Sequence, residues 1–140
     1  SGVENYKDFA NESLKIVNGS PISFEVFSDD LDEMYSQAKE ISSWGKNISV
    51  KIPITNTLGH STKHLFKVLS QEGVFCNVTA IFTIEQVKKL MDHLDNDSKV
   101  IVSIFAGRIA DTGTDPFDIM NESSKIIKNC PNHSQRLPIE

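Results

Sequence analysis

Four short β-prone runs recur along the chain, each followed by a segment with helical periodicity. That alternation constrains the fold more than any other feature. Residues 22–27, 49–55, 75–82 and 100–105 are rich in β-branched and aromatic side chains. A helix over residues 6–17 comes first, with Tyr6, Phe9, Ala10, Leu14 and Val17 on one stripe. Ser28-Asp29-Asp30 supplies a cap for a helix carrying Leu31, Met34, Tyr35, Ala38 and Ile41. The next helix turns Leu65, Val68 and Leu69 inward and stops at Gly73. Thr83 and Gln86 have capping-box spacing, ahead of Val87, Leu90, Met91 and Leu94. After a loop over residues 107–114, Asp115-Pro116 opens a helix burying Phe117, Met120, Ser124 and Ile127. Residues 130–140 are polar, contain proline and show no periodicity, so an irregular tail is expected there. The order is α, then βα four times, in one domain spanning residues 1–140. Such alternation implies a parallel sheet with helical crossovers.

The four strands share a phase. Glu25, Lys51, Thr79 and Ser103 are separated by 26, 28 and 24 residues, one βα unit each time. In the run 49–55, Lys51 falls on the face opposite Val50, Ile52 and Ile54. Ser23 and Glu25 alternate with Phe24 and Val26, Asn77 and Thr79 with Cys76, Val78 and Ala80, and Ser103 and Phe105 with Val102 and Ile104. One face is therefore apolar and the other is lined by Glu, Lys, Asn, Thr and Ser. A doubly wound sheet needs both faces apolar. A polar face recurring near the strand ends fits a (β/α) barrel interior, with its site at the C-terminal strand ends. Taken alone, Lys51 reads as a lysine on the solvated face of an edge strand; in phase with three other strands it reads as an interior lysine. A lysine desolvated on such a face offers a neutral, nucleophilic amine near pH 7.

Composition narrows the function classes. The chain has 140 residues, 39% of them hydrophobic, with a net charge of −5. That charge argues against a nucleic-acid partner or an anionic membrane surface. No window approaches the roughly 18 apolar residues of a membrane span, and the first residues show no signal-peptide pattern. Cys76 and Cys130 lack metal-ligand spacing, and a reduced, cytoplasmic pair is expected. The Asn-x-Ser/Thr triplets at Asn11, Asn18, Asn47, Asn77, Asn96, Asn121 and Asn132 read as chance or structural matches. His60 and His64 lie four apart without an evident third ligand, and 111–115 lacks the terminal glutamate of a Ca²⁺ loop. No metal and no cofactor is expected.

Val50-Lys51-Ile52-Pro53, residues 77–82 (Asn-Val-Thr-Ala-Ile-Phe) and residues 103–109 (Ser-Ile-Phe-Ala-Gly-Arg-Ile) resemble the motifs of the transaldolase family. The likeness is to its small members, which include fructose-6-phosphate aldolases, and covers the chain from the first helix to about Asn129. The resemblance implies a class I enzyme of carbohydrate metabolism, in the pentose phosphate pathway, acting on sugar phosphates. Lys51 matches the lysine that forms a Schiff base with the ketose donor. Glu25 matches the glutamate that, with Thr79, holds the catalytic water. Asn77 and Ser103 match substrate-binding positions, Phe105 an aromatic position over the site, and Arg108 a phosphate-binding arginine. The aldolase branch usually has Gln at the Glu25 position and Tyr at the Phe105 position. Glu and Phe favour transfer of a dihydroxyacetone unit, with fructose-6-phosphate aldolase activity as an alternative. Each residue also has a structural reading. Thr79 and Ser103 can satisfy backbone groups, Arg108 can pair with Asp111, and Phe105 can belong to the core.

The chain also departs from the family. Its four expected strands correspond to the third to sixth of eight, so strands 1, 2, 7 and 8 have no counterpart. With them go the catalytic Asp, the Thr-Asn-Pro-Ser-type motif and a second phosphate-binding Arg. The expectation is thus a partial TIM (β/α)8 barrel, about four βα units with an N-terminal helix. Such a sheet exposes two strand edges, so a homodimer or larger homo-oligomer covering them is expected. A catalytically incompetent fragment or pseudoenzyme is the alternative to an active transferase.

Overall fold

The computed structural model describes residues 2–95, 97–130 and 137–139, with side chains described for 5–95 and 97–130. The elements run α1 (Gly2–Val17), β1 (Ile22–Glu25), α2 (Leu31–Ser42), β2 (Ile48–Pro53), α3 (Lys63–Gln71), β3 (Cys76–Ile81), α4 (Ile84–His93), β4 (Val100–Ile104), α5 (Ala106–Asp111), α6 (Phe117–Asn129) and β5 (Leu137–Ile139). All five strands are parallel and lie side by side in chain order. A doubly wound sheet would reverse its strand order at a switch point; this one does not. The chain is an α/β half-barrel of the TIM type, as its alternation implies.

The apolar strand face forms the core. Phe24, Val50, Ile52, Cys76, Val78, Val100 and Val102 are buried together with Met34, Ala38, Ile41, Phe66, Leu69, Val87 and Leu90 from the helices. Burial pushes the Cys76 thiol up to about 12. The starts of α2 and α4 are fixed by side-chain acceptors. Asp30 Oδ1 accepts from the amides of Asp32 and Glu33, each at 3.0 Å. Thr83 and Gln86 form the reciprocal capping box: the Gln86 amide donates to Thr83 Oγ1 at 3.2 Å, and the Thr83 amide to Gln86 Oε1 at 3.1 Å. Asp115 Oδ1 accepts from the Phe117 amide at 2.9 Å, but the N-cap of α6 is Pro116, so the proline stands one place before the first helical residue expected for it.

Several expectations need correction. Phe9 is 61% exposed, because α1 leans on the sheet edge through the narrow row Tyr6, Ala10 and Leu14. In α3, Phe66 replaces Val68 on the inner face, and Val68 is exposed. In α6, Ser123 and Ile127 are the buried pair, whereas Phe117 is exposed and Ser124 half-buried. The loop expected over residues 107–114 begins with α5, anchored by buried Ile109, whose amide donates to the Phe105 carbonyl at 3.0 Å. The expected tail contains β5, which widens the sheet to five strands. Residues 131–136 and 140 of that tail, and Asn96, lie outside the described residues.

Pro53 marks where one ladder ends. Val26 N–H donates to the Lys51 carbonyl and Ile54 N–H to the Thr79 carbonyl, at 3.0 and 2.9 Å. By alternation the Pro53 nitrogen faces β1, and the β1–β2 register stops at Glu25↔Lys51. A proline is tolerated there because no ladder bond is needed.

Candidate active site

The register gathers the expected site residues on the inner face of the sheet. Glu25 pairs with Lys51 and Lys51 with Asn77, so three side chains stand in one row across β1, β2 and β3. Thr79 stands one step further along, opposite Pro53. Lys51 is half-buried, Glu25 exposed, and Asn77, Thr79 and Ser103 buried. The Lys51 amine, the Glu25 carboxylate and the Thr79 hydroxyl have no hydrogen-bond or ion-pair partner among the described residues. A lysine flanked in register by a carboxylate and an amide, with a hydroxyl one step above, can attack a carbonyl and exchange protons through an adjacent acid–base group.

Beneath this row runs a polar chain. Ser103 Oγ donates to Asn77 Oδ1 at 2.6 Å, Asn77 Nδ2 lies 3.4 Å from Ser23 Oγ, and Ser23 and Ser49 hydroxyls share a bond of 2.6 Å. Four strands are thereby tied together through their inward side chains. Ser103 is thus bonded to Asn77, whose side chain is fixed from both sides. Ser23 and Ser49 did not stand out in the sequence as partners of Asn77. Their parity was visible, but the bond between them depends on strand register.

Phe105 and Arg108 lie at the mouth. The Phe105 amide donates to the Ile81 carbonyl at 2.9 Å, and its ring meets Phe82 edge-on at 5.5 Å between centroids. Arg108, exposed on α5, lines an open groove of about 600 Å³ with Ile104, Phe105, Ala106, Gly107 and Asp111. It has no ion pair with Asp111 or with any other described residue.

The rim beyond β2 is held by its own bonds. Asn56 Oδ1 accepts from the amides of Leu58 and His60, at 3.1 and 2.8 Å, and its Nδ2 donates to the Asp29 carbonyl at 3.2 Å. The Asp29 carboxylate accepts from the Thr57 amide and hydroxyl, at 2.8 and 2.6 Å, and those bonds hold its pKa below the usual carboxylate range. Sequence reading did not pick out this clasp, although a loop rich in Asn and Thr facing an Asp-rich cap is the composition that builds one. Among the described residues, no three or more His, Cys, Asp or Glu side chains cluster as a metal site would require. None of the described helices is long and apolar enough to cross a membrane.

Tyr6 is a further residue that sequence reading placed only in the core. Glu25 N–H and C=O point away from β2, to the free edge of the sheet, and the Tyr6 hydroxyl takes both, at 3.0 and 3.2 Å. Its ring is held edge-on by Phe24, Phe27 and Trp44. Burial raises its pKa. The backbone carrying Glu25 is therefore fixed from α1.

The profile of the transaldolase/fructose-6-phosphate aldolase family matches residues 6–137. Similar curated proteins include probable transaldolases of Streptococcus agalactiae and Streptococcus equi subsp. zooepidemicus, each 37% identical over 122 residues. Another is a probable transaldolase of Streptococcus pyogenes, 35% identical over 122 residues. Each alignment covers 87% of this chain and 53% of the relative, so the chain spans about half the length of those relatives. The family match over nearly the whole chain agrees with the half-barrel: the chain belongs to the transaldolase/fructose-6-phosphate aldolase family.

Proposed function

We propose that Lys51 is the Schiff-base nucleophile of a transaldolase-type transfer of a dihydroxyacetone unit between sugar phosphates. The observation that carries this reading is the register row Glu25–Lys51–Asn77, with Thr79 above it on the same face. The neutral Lys51 amine adds to the ketose carbonyl, and the carbinolamine loses water to give a protonated imine. Glu25 and Thr79 hold the water that shuttles protons in that dehydration. The imine accepts the electron pair when the C3–C4 bond breaks, releasing an aldose phosphate and leaving an enamine. Addition of that enamine to a second aldose phosphate, then hydrolysis, completes the transfer. Asn77 and Ser103 bind substrate hydroxyls, Phe105 covers the site, and Arg108 offers a planar, permanently charged donor for phosphate. Glu25 and Phe105, where aldolases of the family usually have Gln and Tyr, favour transfer over simple cleavage. The setting is carbohydrate metabolism in the cytoplasm, and a homo-oligomer covers the open strand edges.

A second reading is that this length of chain folds and assembles without turnover. It is favoured by the open sheet, in which β1 and β5 each pair on one side only among the described residues. Borohydride reduction in the presence of fructose 6-phosphate, read by peptide mass spectrometry, separates the two. The expected result is a hexose- or triose-derived adduct on Lys51 that disappears in Lys51→Arg. A folded chain that yields no adduct refutes the imine reading and leaves the second.

A further inference from the structure

β3 contains one residue more than its neighbour β4 can match. Val78 pairs with Val102 and Ile81 with Ile104, so three steps along β3 face two along β4. The extra residue is a bulge, and Ala80 sits in it at φ +58°. An L-residue in the left-handed region carries a steric cost that glycine does not. Among the described residues the other such non-glycine residue, Asn18 at φ +47°, ends a helix, where an asparagine is at home. Ala80 has no polar side chain to support this backbone, and it lies in the middle of a sheet.

The bulge reverses the strand's alternation from Ala80 onward. The carbonyls of Phe75 and Thr79 face β2, accepting from Val50 and Ile54 at 2.8 and 2.9 Å. By simple alternation the Ile81 carbonyl would face β2 as well. Instead it faces β4 and accepts from the Phe105 amide at 2.9 Å. The Ile81 side chain likewise leaves the inner face and is fully buried in the core. Thr79 is thereby the last inward side chain of β3, and Phe105 is anchored at the mouth by a carbonyl that a regular strand would turn the other way.

We propose that Ala80 is a positioning residue of the Lys51 site: its left-handed backbone sets Thr79 and Phe105 together by switching β3 from one neighbour to the other. This rests on the imine reading for its catalytic consequence but not for its geometry. The test compares Ala80→Gly, Ala80→Asn and Ala80→Val by amide hydrogen exchange and by borohydride trapping with fructose 6-phosphate. Glycine and asparagine accept a positive φ, whereas a β-branched valine resists it. Ala80→Val is expected to lose exchange protection at Phe105 while Val26, two strands away, keeps it. Trapping at Lys51 is expected to slow by at least about tenfold in that variant, since small misplacements of catalytic groups carry large penalties. Ala80→Gly and Ala80→Asn should match the parent in both readouts. Unchanged Phe105 protection and unchanged trapping in Ala80→Val overturn the proposal. If Ala80→Val unfolds, Ala80→Asn decides: lost Phe105 protection there overturns it, because a left-handed backbone would then not be what the position requires. Absence of any adduct in the parent chain refutes the imine reading alone, and the exchange pattern still decides the role of Ala80.

Discussion

Removing the hydroxyl of Ser103 tests whether the polar chain under Lys51 acts as a unit. Ser103 Oγ donates to Asn77 Oδ1 at 2.6 Å; Asn77 is fully buried and Ser103 is 5% exposed. Ser103→Ala leaves the buried Asn77 oxygen without that donor. An orphaned buried acceptor costs about 1–3 kcal/mol, and Ser103→Ala should destabilise the chain by that amount. Asn77→Ala removes the acceptor, the 3.4 Å contact to Ser23 Oγ and a side chain's volume, so it should cost as much or more. Once Asn77 is gone, the Ser103 hydroxyl has nothing left to satisfy, and deleting it too should add little. The coupling energy between the two sites is then about 1–3 kcal/mol, the cost that Ser103→Ala carries only while Asn77 is present. Urea titrations of the parent, the two single variants and the double variant measure it. The lone Trp44 gives the fluorescence signal, from its place against Tyr6 and Phe24. Additivity to within about 0.3 kcal/mol would refute the reasoning, since distant independent sites behave that way.

Two further predictions concern the core thiol and the sheet edges. With the Cys76 pKa raised by burial from 9.0 to about 12, the folded state holds its proton where the unfolded state loses it. Stability from this group is complete below pH 9 and falls as pH rises between 9.0 and about 12, so Cys76→Ala should flatten that part of the alkaline unfolding curve. An unchanged alkaline slope would show that Cys76 does not titrate late. Light scattering at micromolar concentration should give a mass above the 15.6 kDa of one chain, because β1 and β5 leave strand edges open among the described residues. A strictly monomeric species refutes the oligomer.

Most of the fold was legible because two periodicities are local. The phase shared by Glu25, Lys51, Thr79 and Ser103 is readable one strand at a time, and the capping box at Thr83 and Gln86 within four residues. Both need no knowledge of what lies alongside. Helix faces were read less well where packing is one-sided. Phe9 fits the apolar stripe of α1, yet α1 rests against a sheet edge and uses only a narrow row of its surface. β5 was missed because it has three residues, the middle one proline, a residue tolerated on an edge strand but carrying no strand signal.

The site was legible as a set of residues but not as an arrangement, and the difference lies in register. Nothing within β3 announces the bulge: Cys-Asn-Val-Thr-Ala-Ile reads as an unbroken strand without a glycine. The left-handed turn at Ala80 arises from how β3 must match β2 on one side and β4 on the other, a condition no single segment contains. The same holds for the bond between Ser23 and Ser49, and for the Tyr6 hydroxyl on the outward edge of Glu25. These three features share a second property. Each fixes the backbone or the underside of a proposed site residue without being one itself: Ala80 beside Thr79, the serines beneath Lys51 and Asn77, Tyr6 behind Glu25. A motif identifies the groups that can do chemistry, because their types and spacing are local. What holds those groups at the right separation is built between strands, and so it becomes visible only once the strands are paired.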